Sequence, residues 1–148
     1  MTESTELTMQ NLDRLLQWYA ALDRASLERI DAFYAPQALF KDPFNDVKGV
    51  RSIRAIFAHM FATTEDPRFV ILERMGQGEQ GFATWRFEFR LKGHFYTVLG
   101  ATHFRFDEAG RVSEHRDYWD AAEELWQKLP VIGGPVKWLR GRFRATGH

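Results

Sequence analysis

The sequence predicts an α+β domain whose helices are gathered ahead of its sheet, and two observations carry that prediction. Apolar residues recur at helical spacing from Leu12 to Met60, and from Arg68 to Trp119 the period drops to two, broken only by glycine-bearing turns. Helices first and strands after is the segregated arrangement in which helices cover one face of an antiparallel sheet. A strongly curved sheet of this kind, wrapped on its helices, leaves a pocket between the two layers.

The elements follow in order. Leu12, Leu15, Leu16, Tyr19 and Leu22 mark a first helix, after a polar, acidic stretch from Met1 to Gln10. Ser26 reads as the cap of a second, short helix that carries Leu27, Ile30 and Phe33 on one face. Pro36 ends that stretch, and Ala38, Phe40 and Asp42 then alternate as the inner face of a strand that closes at Asp42-Pro43. Asn45, Asp46 and Gly49 form a turn, and Val50, Ile53, Phe57 and Met60 mark a third helix.

Four strands complete the chain: Phe69 to Met75, Ala83 to Leu91, Phe95 to Asp107 and Arg111 to Trp119, arranged as a meander. In the second, Ala83, Trp85, Phe87, Phe89 and Leu91 face one way while Thr84, Arg86, Glu88 and Arg90 face the other. Asp120, with Glu123 three residues on, opens a further helix in the manner of a capping box. Pro130, Gly133, Gly134 and Pro135 break the chain before a basic amphipathic segment, Val136 to Arg144.

The 148 residues are read as one domain, with a core at about 8–128 and a C-terminal basic extension at 129–148. Twenty basic and twenty acidic residues cancel, so no global field draws the protein to nucleic acid or to a membrane. The chain has no cysteine, which removes disulfides, thiolate metal sites and a cysteine nucleophile from consideration and fits a reducing compartment. The polar N-terminus is neither a signal peptide nor a membrane span, and a cytoplasmic protein is expected. Thirteen Phe and five Trp exceed what a minimal core needs and suit an apolar ligand cavity.

Strand parity nominates the residues that carry chemistry. His115, Asp117 and Trp119 share a face, and the polarity of Arg105 turns Thr102 inward on the preceding strand, beside Asp117. Asp42, Asp117, His115 and Thr102 among Trp85, Phe87 and Trp119 are the ingredients of acid/base work, because burial and a neighbouring like charge both raise a carboxyl pKa. The plainer readings stay open: Asp42 as the acceptor of the Asp-Pro turn, and Asp117 as a buried acid paired with His115 or Arg116. Trp18 and Tyr34 are read as pocket lining, while His59, His94, His103 and His148 have no evident role. No ligand spacing supports a metal site, and no metal or other cofactor is expected.

Several segments resemble ketosteroid isomerase at matching intervals. They are Gln17-Trp18-Tyr19-Ala20-Ala21-Leu22, Phe33-Tyr34-Ala35 with Ala38, Asp42-Pro43, Gly49 with Ile53-Arg54, and His103-Phe104-Arg105-Phe106 before Gly110. Over roughly residues 10 to 120 the chain is similar to the broader group of SnoaL-like, nuclear transport factor 2-like domains. The resemblance implies a cystatin-like conical barrel: a curved, mostly antiparallel sheet wrapped around N-terminal helices, with a deep apolar pocket and dimers formed through the sheet. It places Asp42 on the proton-shuttling base, Trp18 on the oxyanion-hole tyrosine and Thr102 on the protonated aspartate of the isomerase. Replacing such donors costs about a hundred to a thousandfold in rate, which argues against steroid isomerisation itself. His115-Arg116-Asp117 resembles the His-x-Asp of SnoaL-like polyketide cyclases, whose Asp is the proposed acid/base.

The expectation is a cofactor-free isomerase or lyase, ketosteroid isomerase-like or polyketide cyclase-like, using Asp42 or Asp117 for proton transfer on a small apolar carbonyl compound. His115, Thr102 or the Trp18 indole would stabilise the enolate. The alternative is a non-catalytic small-molecule-binding or protein-interaction module of the same fold. An epoxide hydrolase of this fold calls for Asp-Arg-Asp, and Arg116 has the wrong parity to supply the middle member. Expected partners are a small apolar ligand and a second copy in a homodimer, whose contact face retains Phe95, Val98 and Tyr118. Nucleic acid is not expected, nor is membrane contact through the tail.

Overall fold

The computed structural model describes residues 3–120 and 123. The basic segment Val136 to Arg144 lies outside the described residues. Helix α1 (Glu3–Ala20) opens the fold, a 3-10 helix (Ser26–Ala32) follows, and β1 (Tyr34–Lys41) and the short β2 (Asp46–Lys48) lead into helix α2 (Val50–Thr63). Strands β3 (Glu65–Gln77), β4 (Gln80–Leu91), β5 (His94–Phe106) and β6 (Val112–Tyr118) complete one open six-stranded sheet, in the order β2-β1-β6-β5-β4-β3. The last four strands form the expected antiparallel meander. The pairing of β1 with β6 is parallel, so the sheet is mixed and the N-terminal strand closes onto the C-terminal one.

The sheet curls over its helices. Leu12, Leu15, Ile30, Tyr34, Ile53, Phe104 and Val112 are almost fully buried between the two layers. Each such side chain contributes roughly 1.5–3 kcal/mol relative to exposure. This is the curved α+β cone that the sequence predicts.

Local boundaries differ from the expected ones for identifiable reasons. Helix α1 begins well before Leu12, because Thr5 and Thr8 continue its buried stripe and bond the β3–β4 turn instead of packing apolarly. The Gly78 N–H donates to Thr5 Oγ1 at 2.9 Å, and Thr8 Oγ1 donates to the Gly78 carbonyl at 2.5 Å. Ser26 is the first residue of its helix and not the cap, for the Asp23 carboxylate accepts the Ser26 N–H at 2.7 Å. Strand β1 starts before Pro36, which falls where its register with β6 shifts between Tyr34 and Leu39. Asp46 belongs to β2, paired with Lys41, and Gly49, at φ 102°, turns the chain from β2 into α2. Val98 corrects the expected contact face: it lies opposite Phe87 and is buried inside, while Phe95 and Tyr118 are exposed outside. At the end of the described chain the Glu123 N–H donates to Asp120 Oδ1 at 3.2 Å, the bond a capping box requires.

Candidate functional site

The inner face of the sheet is assembled by register. Ala83, Thr102 and Asp117 lie in one cross-strand row, Phe104 and His115 in the next, and Trp85 is opposite Gly100. A Cβ at position 100 would come within 2.6 Å of the Trp85 ring, so glycine is what lets the indole lie across β5. Trp85, Phe87, Thr102 and His115 are all buried on this face, and Asp117 and Trp119 are partly buried. Gly100 shares the inward parity of Thr102, which places it beside Trp85.

Between this face and α2 lies a cleft of about 640 Å³, part of it open to solvent. Its walls are apolar, from Phe40, Phe57, Met60, Phe69, Trp85 and Trp119 among others, and its polar lining residues are Asp42, Asp117 and His59. A smaller hollow of about 330 Å³ shares Phe57, Phe69, Trp85 and Asp117 with it and reaches Thr102, His115 and Tyr19. Ile56, Phe57 and Met60 are not among the expected lining residues, since the α2 pattern reads as an ordinary core face until the sheet is seen to curve away from it.

Asp117 ends a chain of hydrogen bonds. Its Oδ1 accepts from the Thr102 hydroxyl at 2.5 Å and from His115 Nε2 at 2.7 Å, and Trp85 Nε1 donates to Thr102 Oγ1 at 2.8 Å. With the ring proton on Nε2, Nδ1 of His115 accepts from the Tyr34 hydroxyl, 2.6 Å away. Tyr19 hydroxyl bonds that of Tyr34, and burial pushes both phenols well above their ordinary range, so both remain donors. His115 is fixed further by stacking on Phe40, with centroids 4.3 Å apart.

Asp42 is held differently. It follows the last residue of β1, and its Oδ1 accepts from the backbone N–H groups of Phe44 at 2.8 Å and Asn45 at 2.6 Å. Asn45 Nδ2 adds a bond of 3.2 Å to Oδ2. Burial, and then the charge of Asp117, push the Asp42 carboxyl from 3.8 up to about 6 against the pull of these donors. A carboxyl poised there exchanges its proton near neutral pH, in a cavity that otherwise offers apolar contact.

Two expected lining residues stand behind the cavity wall. Trp18 is buried in the core and gives its indole N–H to the Ser26 carbonyl at 3.0 Å, so that donor does not face a ligand. Tyr34 is fully buried and reaches the cavity only through His115. Arg116 is on the outer face, its guanidinium over the Tyr118 ring at 5.1 Å, and no arginine lines the cleft among the described residues. No cluster of three His, Asp or Glu suited to a metal occurs among the described residues. Nor is any helix there long and apolar enough to cross a membrane.

Fold and site together define a pocket protein of the nuclear transport factor 2-like class, a helix-lined cone with carboxylates on its inner sheet. The SnoaL-like domain model matches residues 15–115, and the chain belongs to that family. Among solved structures, a candidate SnoaL-like polyketide cyclase from Jannaschia sp. CCS1 superimposes with a TM-score of 0.71 at 15% identity, over 83% of this chain and 92% of that one. An epoxide hydrolase of M. tuberculosis, described as LEH-like, gives 0.69 at 15% identity, over 91% and 96%. A hypothetical protein of Catenulispora acidiphila with a ketosteroid isomerase-like fold, in complex with trimethylamine, gives 0.67 at 19% identity, over 76% and 89%. At these identities the likeness is one of fold. No curated protein matches the chain.

Proposed function

We propose that the protein is a cofactor-free proton-transfer enzyme of the isomerase or cyclase type, acting on a small, mostly apolar carbonyl compound. The observation that carries this reading is the sharing of one apolar cleft by Asp42 and Asp117, with the Asp42 carboxyl raised to about 6. Such a carboxylate is a stronger base than a solvated one and is still ionised at neutral pH. Asp42 is the base in this account. Asp117, held by Thr102 and His115, keeps its neighbour's proton affinity high.

A direct test is deuterium wash-in next to the carbonyl of a small β,γ-unsaturated ketone, followed by NMR. Wild type should catalyse exchange, and Asp42→Asn should lower the rate by about a hundred to ten thousandfold with the fold intact. Equal exchange by both proteins would remove Asp42 from the chemistry. The turn bonds of Asp42 favour a second reading, a binding module in which this acid only shapes the loop. That reading forecasts no exchange, while apolar ligands still raise the melting temperature.

We propose also that two copies pair through the outer sheet face, where Met75, Phe82, Leu99 and Tyr118 are exposed on one side. Sedimentation at micromolar concentration should show a dimer that Leu99→Glu converts to a monomer.

A further inference from the structure

Proton abstraction next to a carbonyl needs a donor for the oxygen that becomes negative, and the donors expected for that task are engaged elsewhere. Trp18 serves Ser26 and Thr102 serves Asp117, and the indole N–H of Trp85, a lining residue, is likewise spent on Thr102. His115 spends one ring nitrogen on Tyr34 and the other on Asp117. Turning any of these towards a ligand would strand a buried partner.

His59 is different. It lies on α2 three residues after Ile56 and one before Met60, at the edge of the helix face that meets the sheet, and it lines the same cleft as the two acids. Its Nε2 is buried and has no hydrogen-bond partner among the described residues, a state that costs free energy until a polar group arrives. The side chains that share this wall, Phe44, Met60 and Trp119, offer apolar contact, apart from the indole N–H of Trp119.

We propose that His59 is a catalytic residue that donates a hydrogen bond from Nε2 to the substrate oxygen, an assignment that rests on the proton-transfer reading. The Asp42 carboxylate takes a proton from the carbon next to the carbonyl. The C–H electron pair becomes the new C=C bond, and the carbonyl π pair moves onto oxygen, where His59 Nε2–H meets it without giving up its proton. Return of the proton from Asp42 to another carbon of the conjugated system restores both the carbonyl and the carboxylate. The substrate class is thus an apolar ketone with a C=C bond β,γ to its carbonyl, whose oxygen points to α2.

The probe is 2-naphthol, a planar apolar molecule with an enol-like oxygen, compared with naphthalene on wild type, His59→Leu and His59→Gln. Wild type should prefer 2-naphthol by at least about tenfold, the increment of one hydrogen bond to a buried group. His59→Leu should lose that preference with naphthalene binding unchanged, and His59→Gln, which keeps an N–H, should restore most of it. The 15N resonance of His59 Nε2 should move with 2-naphthol and not with naphthalene. No preference in wild type, an unchanged preference in His59→Leu, or equal loss of both probes would overturn the assignment. If the 2-naphthol pattern holds but no ketone is turned over, it is the proton-transfer reading that fails and His59 remains a ligand donor. If His59→Leu turns over a ketone at the wild-type rate, proton transfer stands and His59 is not the donor.

Discussion

Asp42 and Asp117 line one cleft, yet the chain holds them by opposite means. Asp117 is the penultimate residue of β6 but still within its antiparallel register with β5, and the side chains that bond it, Thr102 directly across and His115 two residues back, are fixed by the sheet. Asp42 lies just past a strand end and is held by the backbone of the loop it folds, through Phe44 and Asn45. The lesson concerns what sets proton affinity. The loop donors to Asp42 are outweighed by desolvation and by the charge of Asp117.

The largest expected effect comes from breaking the Asp117 side of this comparison. His115→Phe fits the aromatic stack with Phe40 and Tyr34 but removes one bond from the Tyr34 hydroxyl and one from Asp117 Oδ1, leaving the first with Tyr19 and the second with Thr102. A loss of about 2–4 kcal/mol in denaturant unfolding is expected, the sum of one neutral hydrogen bond and one to a charged group. Thr102→Val keeps the shape and removes one bond to Asp117 and one from Trp85, with an expected loss of about 1–3 kcal/mol.

Asp42 should behave in the reverse sense. Its carboxyl has a higher pKa folded, about 6, than its ordinary 3.8, so the fold is favoured while the group is protonated. That contribution is fully present below pH 3.8 and is lost as the pH rises through about 6. Asp42→Asn is neutral throughout and should therefore be more stable than wild type at pH 8, by up to about 3 kcal/mol, with no such gain near pH 4. A melting series across that range checks the sign. The smallest effect is kinetic: Asp117→Asn removes the neighbouring charge and should move the acid limb of the rate profile below about 6, without returning it to the ordinary value, because burial is the larger cause.

The same contrast explains what the sequence made legible. Period-two alternation from Ala83 to Trp119 is enough to place Trp85, Thr102, His115 and Asp117 on one face, since parity is a local property. The parallel pairing of β1 with β6 is not local, and neither is the side of α2 that the curved sheet leaves uncovered. His59 was therefore invisible as a lining residue, and Trp18 looked like a donor until its N–H was seen on the Ser26 carbonyl. The N-terminal stretch hid its helix for a related reason: Thr5 and Thr8 are buried through hydrogen bonds to Gly78, which a hydrophobic pattern does not register.

The measurement that bears most directly on the account is a 13C titration of the Asp42 carboxyl, in wild type and in Asp117→Asn. The account predicts a midpoint near 6 in wild type and a lower one in the variant, with both above the ordinary 3.8. A wild-type midpoint at the ordinary value, unmoved by Asp117→Asn, would contradict it.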